Sequence, residues 1–271
     1  IAIIPHFLWF IGWIVGRIVH YNIPYHPFGW SAMILVVIFW ALMAYGYYIG
    51  RWRVHTTALE YSHKEIPHSF DNFRIVHISD LHLSTFDDQP QQLERIVDLI
   101  NSQCPDLVCF TGDLVTVGKS EAEPYTSTLK RISATHGVAA VLGNHDFLIY
   151  NYRTEEEKRE NEVTLLEEYI REELGWNLLR NQSVEIRGSE SDKITILGID
   201  NIKGSGQGFS TIDRGEIKNA AEGTGGFRIL LSHDPSFWET DIVGKTEIPL
   251  TLSGHTHAAQ IRVFGWTPSS L

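Results

Sequence analysis

The chain has 271 residues, 43% of them hydrophobic and 20% charged, and its 22 Lys and Arg against 33 Asp and Glu give a net charge of -11. This composition excludes a disordered chain, a collagen-like repeat and a disulfide scaffold. The acidic balance, without a Lys/Arg cluster, predicts no nucleic-acid partner. The charges are unevenly placed, because residues 1–50 contain only one, Arg17. The chain therefore consists of two chemically different parts.

The first part contains a long apolar run at residues 28–50, which carries no charge over 23 residues. A helix needs about 20 such residues to cross a bilayer. Trp30 lies at one end and Trp52 at the other, as in the aromatic belts of membrane interfaces, and Arg51 and Arg53 follow the run. We predict a membrane-spanning helix at residues 28–50.

Residues 1–19 form a second apolar run, with Arg17 near its end. We predict a second span there, with the Arg17 side chain extending toward the interface, and an interfacial or re-entrant segment is the alternative. Residues 1–54 would then form a transmembrane region. Because the chain does not begin with Met, we expect further residues upstream.

Arg51 and Arg53 lie on the side of the charged part, which the positive-inside tendency places in the cytoplasm. We therefore expect an integral protein of the inner or plasma membrane with a cytoplasmic catalytic domain. Residues 55–72 are polar, show neither helical nor strand periodicity, and predict a linker. Residues 73–271 form the remaining domain.

From residue 73 onward, short apolar runs alternate with helical stretches, which predicts a layered α/β domain with a partly parallel sheet. Predicted strands cover residues 74–79, 106–111, 138–142, 194–199, 227–232, 249–253 and 260–264. Predicted helices cover residues 91–102, 125–135 and 153–173. Residues 204–226 hold seven glycines and predict a mobile loop around a short helix. In such domains the loops after strand ends carry the chemistry.

Five of these predicted strands end in side chains that can bind a metal. In chain order they are Asp80 and His82, Asp113, Asn144 with His145 and Asp146, His233, and His255 with His257. Each motif alone has a structural explanation: Gly-Asp is usually a turn, and Asp146 could be only a helix N-cap. Five such loops in one α/β pattern are improbable as independent turns, so we predict one site. The histidines elsewhere, including His77 inside a strand, are predicted to be structural or exposed.

The order Asp80-x-His82, Gly112-Asp113, Gly143-Asn144-His145-Asp146, His233 and Gly254-His255-x-His257 resembles the calcineurin-like metallophosphoesterase superfamily, over about residues 73–262. The apolar prefix, with the segments HISDLHL, LLRNQSV, LGID and LLSHDP, most resembles its membrane-anchored subgroup. That subgroup is often associated with UDP-2,3-diacylglucosamine hydrolase-like activity in lipid A synthesis.

The resemblance implies a four-layer α-β-β-α sandwich with two metal ions at the sheet edge. Carried over position by position, one ion is held by Asp80, His82 and His257 and the other by Asn144, His233 and His255, with Asp113 bridging both. His145 is similar to the family's histidine beside the substrate phosphate, which binds no metal.

The residue chemistry agrees with this implication. One carboxylate, Asp113, can span two cations about 3.5–4 Å apart. A water between the ions would lose a proton, attack phosphorus in line and need no covalent enzyme intermediate, while His145 protonates the leaving alkoxide. Oxygen and nitrogen ligands without thiolate favour Mn, with Fe or Zn as alternatives, over Mg or Ca.

Two departures from the family stand out. Many members have an acidic residue three positions after the Gly-Asp aspartate, where it orients the catalytic histidine, whereas this chain has Thr116. The chain also stops 14 residues after His257, where the family usually continues with further strands, so we expect additional residues downstream.

These features predict a membrane-anchored, two-metal phosphoesterase that hydrolyses a phosphodiester, pyrophosphate or phosphomonoester of a lipid-linked substrate. The alternatives are a phosphatase or phosphodiesterase for soluble substrates and a non-catalytic membrane scaffold that keeps the fold. All seven ligand positions and His145 are present, which disfavours the scaffold. The acidic balance and the apolar prefix disfavour a nuclease or a protein phosphatase. The sequence leaves the oligomeric state open.

Overall fold

The computed structural model describes residues 2–148, 156–189, 191–200 and 217–256. The chain forms two compact units, Ile1–Leu59 and Glu60–Leu271. The predicted strand at residues 260–264, most of the glycine-rich segment 204–226 and the predicted ligand His257 lie outside the described residues.

The first unit is a helical hairpin made of α1 (Ile3–Ile18) and α2 (His26–Tyr48). Trp9 Nε1 donates to the Ile23 carbonyl at 3.2 Å, and the Tyr25 hydroxyl lies 2.9 Å from His6 Nδ1. A Cβ at Gly16 would lie 2.3 Å from the Tyr21 carbonyl oxygen, so the turn requires a glycine at this close approach.

The two helices of the hairpin differ in length. With its 3₁₀ extension Gly50–Trp52, α2 forms an apolar helix of 27 residues from His26 to Trp52, long enough to cross a membrane. At 16 residues, α1 is about 24 Å long and falls short of the roughly 30 Å hydrocarbon core. Helix length therefore does not support the predicted second span at residues 1–19.

The second unit contains two four-stranded sheets. The first has the order β1 (Ile75–Ile78), β2 (Leu107–Phe110), β3 (Val138–Ala140) and β4 (Asn177–Leu178), and all its neighbours are parallel. The second has the order β5 (Gln182–Arg187), β6 (Lys193–Gly198), β7 (Phe227–Leu231) and β8 (Leu250–Leu252), in which only β5 and β6 pair antiparallel. The alternation of short apolar runs and helices thus predicted the sheet class correctly.

The two sheets pack face to face across one hydrophobic core. Leu107 and Cys109 of the first sheet share this core with Ile196 and Ile229 of the second. Phe70, from the segment predicted as a linker, is 5% exposed in the same core. Alternate residues of a strand point to opposite faces, so the inward residues of both sheets build a sandwich.

Helices cover the outer faces of both sheets. Outward-pointing Phe110 is fully buried with its ring 5.5 Å from that of Trp176, and α3 (Gln91–Ser102) buries Leu93. On the second sheet, Leu230 packs with Ala220 of α6 (Ile217–Ala221). The layered α-β-β-α fold predicted from the sequence is therefore correct.

The remaining helices differ in part from the prediction. The predicted helix 125–135 is wrong in extent, because α4 covers only Thr126–Leu129. Beyond it, the Ser133 amide donates to the Asn101 side chain at 3.0 Å, and this bond draws the chain out of the helical path. The charged helix α5 spans Glu156–Glu168 and continues as one wider π-helical turn, Tyr169–Glu173.

Candidate metal centre

Three loops meet at one edge of the first sheet, where its parallel strands end. They follow β1, β2 and β3 and carry Asp80, Asp113 and Asn144. The loops are tied together through the backbone, since the Asp80 amide donates to the Gly112 carbonyl at 2.9 Å and the His82 amide to the Asp113 carbonyl at 3.0 Å. Parallel strands place their carboxyl ends at the same edge, so residues distant in the sequence come together here.

The second sheet adds two histidines to this edge. His233 follows β7 and His255 follows β8, and the Gly254 amide donates to the His233 carbonyl at 3.0 Å. The His255 amide in turn donates to the Asp80 carboxylate at 3.0 Å, which joins the two sheets across the sandwich. All predicted site residues that the structure describes therefore lie at one place.

Asp113 is the centre of this cluster and is fully buried. Its Oδ1 accepts the His145 amide at 2.8 Å. Its Oδ2 accepts no hydrogen bond from the residues that the structure describes, and lies 3.3 Å from His233 Nε2 and 3.5 Å from His82 Nε2. Burial opposes its ionisation, but His233 and His145 outweigh burial and hold the pKa of Asp113 below its ordinary value. The carboxylate thus stays charged, with one oxygen available for a ligand.

Two groups of three candidate ligands share Asp113. One contains His82, Asp113 and His145, and the other contains Asp80, Asp113 and His233, with ligand atoms within 4.8 Å of one another in each. The resemblance instead placed Asp80 and His82 on one ion and His145 on none. The assignment of ligands to each ion that the resemblance implies stays a prediction. Asp113 is shared by both ligand groups in the structure and in that assignment.

Asn144, His233 and His255 converge on a second point. Asn144 Oδ1 lies 2.8 Å from His233 Nε2 and 2.9 Å from His255 Nδ1, and the two ring nitrogens are 3.2 Å apart. His233 Nδ1 lies 2.7 Å from the Thr111 carbonyl, to which it donates, so Nε2 is the ring nitrogen that faces the cluster. These are the three residues predicted to hold one ion.

This donor set fits a cation. In the neutral tautomer, His233 Nε2 would present a lone pair to the lone pairs of Asn144 Oδ1, so a proton or a cation is needed between them. Burial disfavours that proton, but the charge of Asp113 raises the pKa of His233 to about 9. Burial and the neighbouring His233 lower the pKa of His255. Carboxylate, amide and imidazole ligands suit divalent Mn, Fe and Zn.

Two glycines make room for these ligands. A Cβ at Gly143 would lie 2.2 Å from Asp113 Oδ1, and a Cβ at Gly254 would lie 2.5 Å from Asp80 Oδ2 and 1.9 Å from Ser79 Oγ. Contacts this short are sterically forbidden, so any side chain at either position would displace a candidate ligand. The glycines of the Gly-Asn-His-Asp and Gly-His-x-His motifs are thus required by the cluster itself.

Asp146, which the sequence explained as a possible N-cap, has a larger role. Its buried carboxylate accepts the amides of Gly143 at 2.9 Å, Asp113 at 2.8 Å, Leu114 at 2.8 Å and Val115 at 3.1 Å. Burial and the charge of Asp113 raise its pKa to about 7, while amide donors oppose that rise. Asp146 therefore fixes the loop of Asp113, which has a left-handed φ of +60°.

His145 is oriented by a backbone carbonyl. Its Nδ1 donates to the Thr116 carbonyl at 3.3 Å, and its ring centroid lies 4.8 Å from that of His82 in an edge-to-face arrangement. Sequence reasoning left open what orients His145 once Thr116 replaces the family's acid. The answer is Thr116 itself, through its main chain.

His77 was predicted to be structural or exposed, and its contacts connect it to the cluster. Its Nε2 lies 2.8 Å from the Thr111 hydroxyl, and the Thr111 carbonyl accepts from His233. His77 is exposed on β1, but partial desolvation by its neighbours lowers its pKa, against the opposing charge of Asp80. Its position inside β1, three residues before Asp80, was the only sequence signal for this supporting contact.

Comparison with known proteins adds an independent finding. A model of the calcineurin-like phosphoesterase family matches residues 73–259. The uncharacterized metallophosphoesterase YkuE of Bacillus subtilis is 28% identical over 226 residues, which cover 81% of this chain and 71% of the relative. The transmembrane protein with metallophosphoesterase domain of Danio rerio is 28% identical over 207 residues, 73% of this chain and 43% of the relative. This chain thus spans less than half of the Danio rerio protein.

Proposed function

This chain belongs to the calcineurin-like phosphoesterase family of metal-dependent phosphoric ester hydrolases, and we propose that it hydrolyses a phosphodiester, pyrophosphate or phosphomonoester of a lipid-linked substrate at two divalent ions. The observation that carries the two-ion proposal is the position of Asp113. One fully buried carboxylate belongs to both groups of candidate ligands, and among the described residues nothing donates a hydrogen bond to its Oδ2.

The proposed ligands are Asp80, His82 and His257 for one ion, Asn144, His233 and His255 for the other, and Asp113 for both. Mn is the proposed metal, because the ligand set contains carboxylates, imidazoles and an amide but no thiolate. Bound divalent cations supply positive charge for the phosphoryl oxygens and acidify water for the attack on phosphorus.

The chain's own groups supply the remaining chemistry. Asp113 and Asp146 fix the loop, so the charge arrangement exists before substrate arrives and needs little reorganisation during the reaction. His145, held through Nδ1 by Thr116, directs Nε2 toward substrate and protonates the leaving alkoxide. The same histidine, when protonated, neutralises charge that develops on the phosphoryl oxygens.

We propose that α2 anchors the chain in a membrane, and the exposure and ends of this helix support the lipid part of the proposal. The helix exposes large side chains along its length, including Val37 at 61% and Trp40 at 66%, as a lipid-facing helix does. Arg51 lies over the rings of Tyr47 at 4.3 Å and Trp52 at 4.4 Å, the residue types that anchor a helix end at the headgroups. With Arg51 and Arg53 after the helix, the proposed orientation places the catalytic domain in the cytoplasm, at the inner or plasma membrane.

Substrate hydrolysis by the full chain in vesicles tests this proposal. Phosphate or phosphorylated headgroup release is measured with Mn(II) from phosphorylated lipids in the bilayer and from soluble aryl phosphate esters. We expect faster release from the lipids and at least ~100-fold slower turnover by Asp113→Ala, since loss of a ligand weakens the centre more than loss of its supporting contacts. The control Asp71→Ala removes an exposed carboxylate elsewhere in the unit.

Each contrary result excludes a different part of the proposal. An Asp113→Ala variant as active as the parent chain contradicts the site. Turnover of soluble esters without turnover of lipids contradicts the lipid-linked substrate. A chain that binds no metal and hydrolyses none of the esters is a non-catalytic scaffold.

A further inference from the structure

A short segment connects His145 to an acidic side chain outside the metal cluster. The amides of Thr116 and Val117 both donate to the carboxylate of Glu121, the first at 2.9 Å to Oε2 and the second to Oε1. The Thr116 hydroxyl also lies 3.1 Å from Ser84 Oγ. The Thr116 carbonyl, in turn, accepts from His145 Nδ1 at 3.3 Å.

The hydrogen bond to Glu121 and the hydrogen bond to His145 are made by the two sides of one peptide group. The Thr116 carbonyl and the Val117 amide are joined by one planar bond, and in a trans peptide they point in opposite directions. When Glu121 binds the Val117 amide on one side, the Thr116 carbonyl must point to the other side, where His145 lies. A carboxylate on the amide also polarises the peptide and makes its carbonyl a stronger acceptor.

We propose that Glu121 is a positioning residue for His145, acting through the Thr116–Val117 peptide. The inference rests on the role that the proposed function gives to His145. Glu121 touches neither substrate nor any of the candidate ligands in its described contacts. Its function is to keep His145 Nδ1 bonded, and thereby to keep Nε2 aimed at the leaving group.

Glu123 provides a matched control. It lies two residues further along the same stretch of 3₁₀ turns and carries the same charge, but it pairs with Lys119 at 2.9 Å. Replacing Glu121 or Glu123 by Ala therefore changes the net charge equally. Glu121→Gln keeps one carbonyl acceptor and is the conservative variant.

The first test measures the His145 ring directly. The full chain in detergent micelles, labelled with ¹⁵N-histidine and loaded with diamagnetic Zn, is followed by NMR through the His145 Nδ1–H signal, which His145→Ala identifies. We expect Glu121→Ala to abolish or shift this signal and Glu123→Ala to leave it in place. The His233 Nδ1–H signal, from the bond to Thr111, reports that the variants are folded. An unchanged His145 signal in Glu121→Ala overturns the proposal.

The second test measures leaving-group dependence with Mn-loaded chain. For Glu121→Ala we expect kcat to fall ~10-fold with a phenyl ester but less than ~2-fold with the 4-nitrophenyl ester, whose leaving group needs no proton, and KM to stay unchanged. Glu121→Gln should recover part of the loss. In a His145→Ala background, Glu121→Ala should lower kcat by less than ~2-fold further, since both act through one group.

A loss that is equal for both esters, that persists in the His145→Ala background, or that Glu123→Ala reproduces would contradict positioning of His145. If the parent chain hydrolyses no ester, the proposed function fails. The NMR comparison decides whether Glu121 positions His145 independently of that outcome.

Discussion

The two units of this chain depart from the usual distribution of side chains in opposite directions. In the first unit α2 exposes hydrophobic residues such as Val37 and Trp40, whereas the second unit buries Asp113 and His233 completely. Water-soluble proteins avoid both arrangements, since large apolar patches and buried charges are costly. Each departure becomes favourable with a partner that is not protein: hydrocarbon for the helix and cations for the carboxylate. The proposed anchoring and the proposed metal-dependent catalysis therefore rest on two separate physical requirements.

The largest expected effect concerns a buried polar residue of the second unit, Asp146. Asp146→Ala leaves four loop amides without their acceptor, including those of Asp113 and Leu114. We expect it to lower the free energy of unfolding by about 4 kcal/mol, or roughly 10 °C in Tm, because four buried amides lose the acceptor that they share. Thermal denaturation of the full chain in detergent measures this shift.

The variant Asp146→Asn tests whether the loss of stability depends on the number of hydrogen bonds that residue 146 accepts. The amide keeps an acceptor oxygen at the same place but cannot serve all four donors. We expect a loss smaller than that of Asp146→Ala. Equal stability of parent chain and Asp146→Ala would show that the carboxylate does not hold the loop.

The next largest effect is expected when the same change, Val to Lys, is made once in each unit. Val37→Lys places a charge in the middle of α2, at a cost of about 3 kcal/mol in a bilayer. Val243→Lys is the control, because Val243 is 50% exposed in the second unit. We expect Val37→Lys alone to reduce the fraction of chain that resists alkaline extraction from vesicles. If neither variant, or both, changed this fraction, anchoring by α2 would be wrong.

A smaller effect is expected from Gly254→Ala, which tests how closely the backbone approaches the candidate ligand Asp80. Gly254→Ala brings a Cβ to 2.5 Å from Asp80 Oδ2, while a Cβ at Gly225 would have no atom of the described residues within 4 Å. We expect Gly254→Ala to weaken metal affinity ~10-fold or more and Gly225→Ala to leave it unchanged, as measured by titration calorimetry. Equal affinities of the two variants would mean that the site tolerates a shift of Asp80.

Much of this architecture follows from local pattern. Helix α3 spans Gln91–Ser102, the same residues as predicted, because its apolar residues recur at helical spacing and bury Leu93, Val97 and Ile100. The strands β1, β2 and β3 were found from short apolar runs that end in polar clusters. Parallel strand ends share an edge, so the gathering of the ligands was also predictable.

Other features depend on contacts between distant residues. The sequence pattern missed β4, a pair of residues, and β5, which is mostly exposed and is a strand because it pairs with β6. The four amides that Asp146 accepts include three from a loop more than 30 residues away, so the N-cap explanation was too local. The Thr116 carbonyl that orients His145 is a backbone atom, which residue identity cannot reveal.

Metal stoichiometry tests the central claim most directly. The full chain, purified with Mn(II), dialysed and analysed by elemental mass spectrometry, is compared with Asp113→Asn and with a sample stripped by chelator. We predict two divalent ions in the parent chain, restored after chelation by added Mn(II), and loss of both in Asp113→Asn, because one carboxylate belongs to both ligand groups. A parent chain without bound metal, or an Asp113→Asn variant that retains two ions, would contradict a centre bridged by Asp113.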